Sequence, residues 1–227
     1  MSQELIQLFA LLIGFIVPLL FLIIVLKNEI RQLILFFAWG FMATMLAYIL
    51  LKIKINPAEF RIIYQVSIEE LLKALPLFIL LFRKNKFSQF SIEKFAFASG
   101  IGFSIYENFF YVLKHLDINN PILLFIIIFT RGFSTALTHG ITTSIIGFGI
   151  YLCKKLECIS IFILCGTFIF AVQIHLLYNL LLSLSGNVYM AYLVFLIPII
   201  MFCLEYFVFN FFGFWKGFSL YKEQIQE

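Results

Sequence analysis

Charge is what this chain has least of. Asp, Glu, Lys and Arg make up 12% of its 227 residues, roughly half the share found in a soluble domain. Meanwhile 63% of the residues are hydrophobic, with a mean hydropathy of +1.06. Too little polar surface is available to face water on all sides, which excludes a soluble globular protein. Dense basic runs are missing too: the formal net charge of +4 is spread thinly. Nothing could track a phosphate backbone, so nucleic acid is excluded as a partner. The four cysteines (Cys153, Cys158, Cys165 and Cys203) have no CxxC spacing; they are expected to be small buried hydrophobes. Also absent are an HExxH helix, an internal repeat and any polar stretch long enough for a soluble domain.

What is present is membrane-like. The 31 phenylalanines and ten tyrosines suit lipid contact and interfacial belts. Apolar windows predict an all-α polytopic bundle of about seven transmembrane helices and at most about eight, each needing roughly 20 residues. The windows are about 5–26, 33–51, 62–82, 95–113, 121–150, 159–184 and 188–215. The fifth is long enough to require tilt or protrusion. The first has no basic residue ahead of it and exceeds a signal-peptide core, so it is expected to stay as a membrane helix. The whole of 1–227 reads as one integral membrane domain. Ten of the 16 Lys and Arg fall in the loops at 27–32, 83–94 and 151–158 and in the tail, against four on the other side. That bias predicts an outside amino terminus and a cytoplasmic carboxyl terminus.

Against this background, Glu69 and Glu70 stand side by side in the middle of a span, with Lys73 one turn on. Ionisable groups at bilayer depth cost several kcal/mol and usually face a partner or a water-filled cavity. Four consecutive spans carry such groups: Glu69, Glu70 and Lys73; Glu107 with Asn108; Arg131 and His139; His175 with Asn179. At about 1.5 Å per residue, Glu70 lies roughly 12 Å below the outer end of its span, Glu107 roughly 9 Å, His139 roughly 12 Å and His175 roughly 14 Å. Unrelated polar residues would scatter in depth, so a shared site in a core of four helices at about 62–184 is the better account. Lys73 lies i+4 from Glu69 and i+3 from Glu70 and can neutralise either. His175 and Asn179 share a face. Pro76 leaves the Leu72 carbonyl without its helical donor and predicts a kink below the glutamates. Small residues at Ala98–Gly100, Gly102, Ser104, Gly132, Gly140, Ser144 and Gly147 would let helices approach closely.

These residues carry a resemblance. Glu69-Glu70-Leu-Leu-Lys73 matches an EExxK motif, and Phe103-Ser-Ile-Tyr-Glu107-Asn108 an FxxxEN segment. Arg131 to His139-Gly140 resembles a third block, and His175-Leu-Leu-Tyr-Asn179 matches HxxxN. In this order they resemble the PrsW family of intramembrane proteases, related to type II CAAX prenyl proteases and Abi proteins, over about 62–180. The resemblance implies a membrane endopeptidase whose partner is a membrane-anchored protein such as an anti-sigma factor. In the CAAX relatives the FxxxH segment ends in His; Glu107 here departs from that and points to PrsW.

Peptide hydrolysis needs an activated water, a holder for the developing oxyanion and a proton donor for the leaving amine. On this reading Glu69 is the general base, and Glu70 pairs with Lys73 or shares the site. His175 and Asn179 polarise the scissile carbonyl. Glu107 and His139 position the water or join Glu70 and His175 in binding a divalent metal, for which zinc suits the donors. Arg131 is a counter-ion to a carboxylate, and Asn108 braces Glu107. Three other readings stay open: a structural ion cluster, a proton-coupled transporter, and a silent immunity or scaffold protein of the same fold.

Overall fold

The computed structural model describes residues 9, 12–20, 30–52, 60–83, 88–114, 121–184, 192–204 and 207. Among them the regular structure is helical. Helix α1 runs within 12–20, α2 over Ile30–Leu50, α3 over Arg61–Phe82 and α4 over Gln89–Lys114. Then come α5, Pro121–Lys155, α6, Ile161–Ser183, and α7, Tyr192–Leu204. The outer parts of the first and last predicted spans, and His115, Asp117 and Glu205, lie outside the described residues. Among the described residues, three segments are long and apolar enough to cross a membrane: Arg31–Leu50, Leu124–Lys155 and Ile161–Ser183. Helices α3 and α4 have 22 and 26 residues, which is length enough. They fall short on apolarity because they carry Glu69, Glu70, Lys73, Glu93, Lys94 and Glu107, and all of these except Glu107 are buried.

Helix α4 lies between α2 and α5, and α3 packs against α2, α5 and α6. Backbone proximity explains the small residues. A Cβ on Gly100 would collide with the His139 carbonyl of α5, and one on Gly102 with the Phe37 carbonyl of α2. Gly132 makes no such close approach.

The gap left by Pro76 is filled from the neighbouring helices. The Trp39 indole N–H donates to the freed Leu72 carbonyl at 2.8 Å, and the Ser99 hydroxyl to the Lys73 carbonyl at 2.8 Å. Unpaired backbone groups are costly in a bilayer, and with these donors α3 stays helical through Pro76. At its far end, Lys154 of α5 donates to the Leu80 and Arg83 carbonyls, each at 2.7 Å. The carboxyl ends of α3 and α5 therefore lie together, as alternating passes require.

Three readings need correction. Helix α4 begins at Gln89 rather than near 95, because the Ser88 hydroxyl accepts the Ser91 N–H at 3.1 Å and caps it. Lys94, counted as a loop cation, is a buried helical residue with Glu93 beside it; the charge bias of the loops keeps its direction. Of the cysteines only Cys153 is buried, while Cys158, Cys165 and Cys203 are exposed. On a membrane helix an exposed face meets lipid, so a small apolar side chain need not be inside.

Candidate active site

The buried residues of α3 are Val66, Glu69, Glu70, Lys73, Ala74, Leu77 and Leu80, one stripe at helical spacing. Both glutamates sit on it and face the interior. Opposite them α6 presents Ala171, Val172, His175 and Tyr178. Helix α5 presents Ser134, Thr135, Thr138, His139 and Thr142, all buried.

The ionisable groups form one continuous chain. Arg131 donates to Glu107 Oε1 at 2.5 Å, and His139 Nε2 to Glu107 Oε2 at 2.7 Å. The other ring nitrogen of His139, Nδ1, accepts from Lys73 Nζ at 2.9 Å. Lys73 also donates to Glu70 Oε1 at 2.6 Å, and the same oxygen accepts from His175 Nδ1 at 2.7 Å and Thr142 Oγ1 at 3.0 Å. His175 Nε2 then faces Glu69 Oε2 at 3.7 Å, and Gln65 donates to Glu69 Oε1 at 2.9 Å. The two imidazoles meet edge to face with centroids 4.7 Å apart, and the Phe103 ring lies 5.0 Å from His139 and 5.2 Å from Lys73 Nζ.

The adjacent glutamates differ sharply. Glu70 is fully buried and one of its oxygens takes three donors; the Glu69 side chain is 10% exposed, with one oxygen turned to His175 across a gap. Since His175 Nδ1–H is spent on Glu70, a neutral His175 has an accepting Nε2. Two acceptors 3.7 Å apart are bridged well by a water that donates to both.

Other predicted residues take varied places. Asn179 is half-buried one turn beyond His175 and makes no hydrogen bond among the described residues. Arg131 is a counter-ion to Glu107, as expected, and its guanidinium also lies 4.2 Å from the Tyr111 ring. Asn108 pairs with Thr135, whose hydroxyl donates to its Oδ1 at 3.2 Å. Residues that sequence reasoning missed are Gln65, Thr142, Trp39, Ser99, and the Ser134–Tyr178 pair at 2.8 Å. Thr142 had one signal, its place three residues after His139; the others had none.

Glu70, His139 and His175 each offer a ligand atom, all within 4.8 Å of one another. Two imidazoles and a carboxylate are donors that zinc takes, and the buried Glu70 Oε2 has no hydrogen-bond partner among the described residues. In donor type and spacing these residues fit a divalent metal. Glu107 is outside the group: it holds the far nitrogen of His139, the position from which a carboxylate orients a ligating imidazole.

Fold and cluster together define a class, a helical membrane protein that encloses a linked cluster of ionisable side chains in its interior. The sequence model described as PrsW family intramembrane metalloprotease matches residues 7–203. The chain belongs to that family of membrane hydrolases. No curated protein and no solved structure matches it.

Proposed function

We propose that the chain cuts membrane-anchored proteins within the bilayer, with Glu69 as the base that activates water. The observation that carries this reading is the contrast within the glutamate pair: Glu70 is fully buried with Oε1 held by Lys73, His175 and Thr142, whereas Glu69, its side chain 10% exposed, turns Oε2 to His175 Nε2 across 3.7 Å. A water held between them loses its proton to Glu69 as its oxygen attacks the scissile carbonyl. His175 fixes the direction of attack by accepting the second hydrogen of the water. The free Asn179 amide donates to the carbonyl oxygen, and the proton on Glu69 passes to the leaving amine. Lys73 neutralises Glu70, and Glu107 with Arg131 sets the orientation of His139. A divalent metal held by Glu70, His139 and His175 would supply Lewis acidity.

The substrate class is a single-span membrane protein such as an anti-sigma factor. The chain acts as one integral domain with its amino terminus outside. The test is cleavage of a single-span peptide by purified protein in detergent and in vesicles. Glu69→Gln is expected to lower the rate by about 10²–10⁴-fold, the usual contribution of a general base. A Glu69→Gln protein that cuts at the wild-type rate would overturn the assignment. A chain of linked ionisable groups is also what a proton relay requires; absence of cleavage together with proton flux in the same vesicles would favour that reading.

A further inference from the structure

The cluster that fits a metal already contains a cation. The Lys73 ammonium lies 2.6 Å from Glu70 Oε1 and 2.9 Å from His139 Nδ1, two of the three groups that would ligate. Its third donation reaches Thr142 Oγ1 at 3.5 Å, itself bonded to Glu70 Oε1, and the Phe103 ring faces it. The side chain is fully buried, so the ammonium has no solvent to compete for it.

Zinc sits about 2.0–2.2 Å from nitrogen and oxygen ligands and needs the lone pair of each. Here the His139 Nδ1 lone pair is spent on Lys73, and Glu70 Oε1 accepts from Lys73, His175 and Thr142, while Glu70 Oε2 has no partner among the described residues but belongs to the same Lys73-paired carboxylate. An ammonium and a divalent ion cannot share these donors: they would compete for the same lone pairs and repel at close range in a low dielectric. The spacing that makes Lys73 a neighbour of Glu70, i+3 on α3, therefore places a covalently tethered cation where a metal would go.

We propose that Lys73 is the resident cation of the Glu70–His139–His175 cluster and excludes divalent metal ions from it, so that a metal enters only when the Lys73 side chain turns away. This deepens the reading of the cluster as the functional centre and rests on it. It also means that, while Lys73 is in place, the charge of Glu70 is balanced by the ammonium.

The experiment is zinc titration of the purified full-length protein in detergent, by calorimetry and by equilibrium dialysis with elemental analysis. Lys73→Met removes the ammonium; Lys73→Gln removes the charge but keeps a donor to Glu70 if the first variant folds poorly; Lys73→Arg keeps a cation. Lys73→Met or Lys73→Gln is expected to bind one zinc per chain at least tenfold more tightly than wild type, and zinc is expected to raise its melting temperature more. Lys73→Arg is expected to bind no better than wild type. The gained site should vanish when His175→Ala is added. Equal zinc affinity in wild type and the uncharged variants would overturn the proposal, as would a gained site that survives His175→Ala. These readouts need no substrate, so the outcome is separate from the Glu69 cleavage assay: exclusion could fail while Glu69 proves to be the base, and the reverse.

Discussion

Helices α5 and α6 are neighbours, and both are long and apolar enough to span a membrane, yet they are built on opposite plans. Of the spanning window in α5, 61% is buried, against 22% in α6. The buried side of α5 mixes aliphatic residues such as Leu137, Ile141 and Ile146 with a run of polar ones: Ser134, Thr135, Thr138, His139, Thr142, Thr143 and Ser144. Much of α6 is apolar and exposed, including Phe162, Ile169, Phe170, Leu177 and Leu180, and its interior is the narrow stripe that holds His175. In water, apolarity marks the inside. In lipid, which is as apolar as leucine, helices associate through close packing and polar contacts, so the more polar helix is the central one. Helix α5 is a spine for the site; α6 is a wall with one functional stripe.

The largest effect that could break this contrast concerns the stripe. His175→Ala is expected to lower peptide cleavage by about 10²–10⁴-fold. Phe170→Ala and Leu180→Ala, on the exposed side of the same helix, should leave the rate within about twofold, since single exposed substitutions away from special features change little. Large losses at Phe170 or Leu180 would mean that the outer face of α6 meets the substrate rather than lipid alone.

Next in size is a pair of glycine substitutions read by thermal unfolding in detergent. A Cβ on Gly140 of α5 would overlap the Phe97 ring of α4, and overpacking of this kind costs about 1–3 kcal/mol. Gly166 of α6 has no atom of the described residues within 4 Å of such a Cβ; Gly166→Ala should stabilise by up to about 1 kcal/mol through helix propensity. If Gly140→Ala melts no lower than wild type, the close contact of α4 with α5 is looser than the backbone indicates. Thr142→Val comes next. It removes one of three donors to Glu70 Oε1, and about 1.5 kcal/mol of destabilisation is expected for a bond to a charged group.

The contrast also explains what could be read from the sequence. Glu69, Glu70, Glu107, His139 and His175 stood out because charges are rare in apolar spans, and their matched depth followed from the fixed rise of a helix. The structure links all five in one network. That Lys73 could pair with either glutamate followed from i+3 and i+4 geometry; the structure pairs it with Glu70. Trp39, Ser99 and Tyr178 were invisible because each acts across helices, where no period in the sequence sets the partner. Trp39 is instructive: Pro76 announced a carbonyl without a donor, but nothing local could say which helix would supply one. The start of α4 was missed for a related reason, since Glu93 and Lys94 resemble a loop until their burial against the bundle is known.

The smallest prediction lies at the junction between spine and wall. Glu157, in the turn joining α5 to α6, has φ 53, the left-handed region that a side chain resists by about 1–2 kcal/mol. The turn is held by two bonds, from Cys158 N–H to the Cys153 carbonyl at 3.2 Å and from Glu157 N–H to the Lys154 carbonyl at 3.3 Å. This is the paired closure of a Schellman motif, in which glycine is the favoured residue at the left-handed position. The Ser160 hydroxyl then accepts the Ile163 N–H at 3.4 Å and starts α6. Glu157→Gly keeps both turn bonds and relieves the strain. Part of that gain is offset by the greater freedom of glycine in the unfolded chain. A net stabilisation of about 0.5 kcal/mol is expected, read as a small rise in melting temperature. Cleavage should not change, because His175 lies about 20 Å further along α6 at 1.5 Å per residue. A fall in stability would show that the exposed Glu157 side chain itself holds α5 to α6, and the two helices would then be joined by more than a backbone turn.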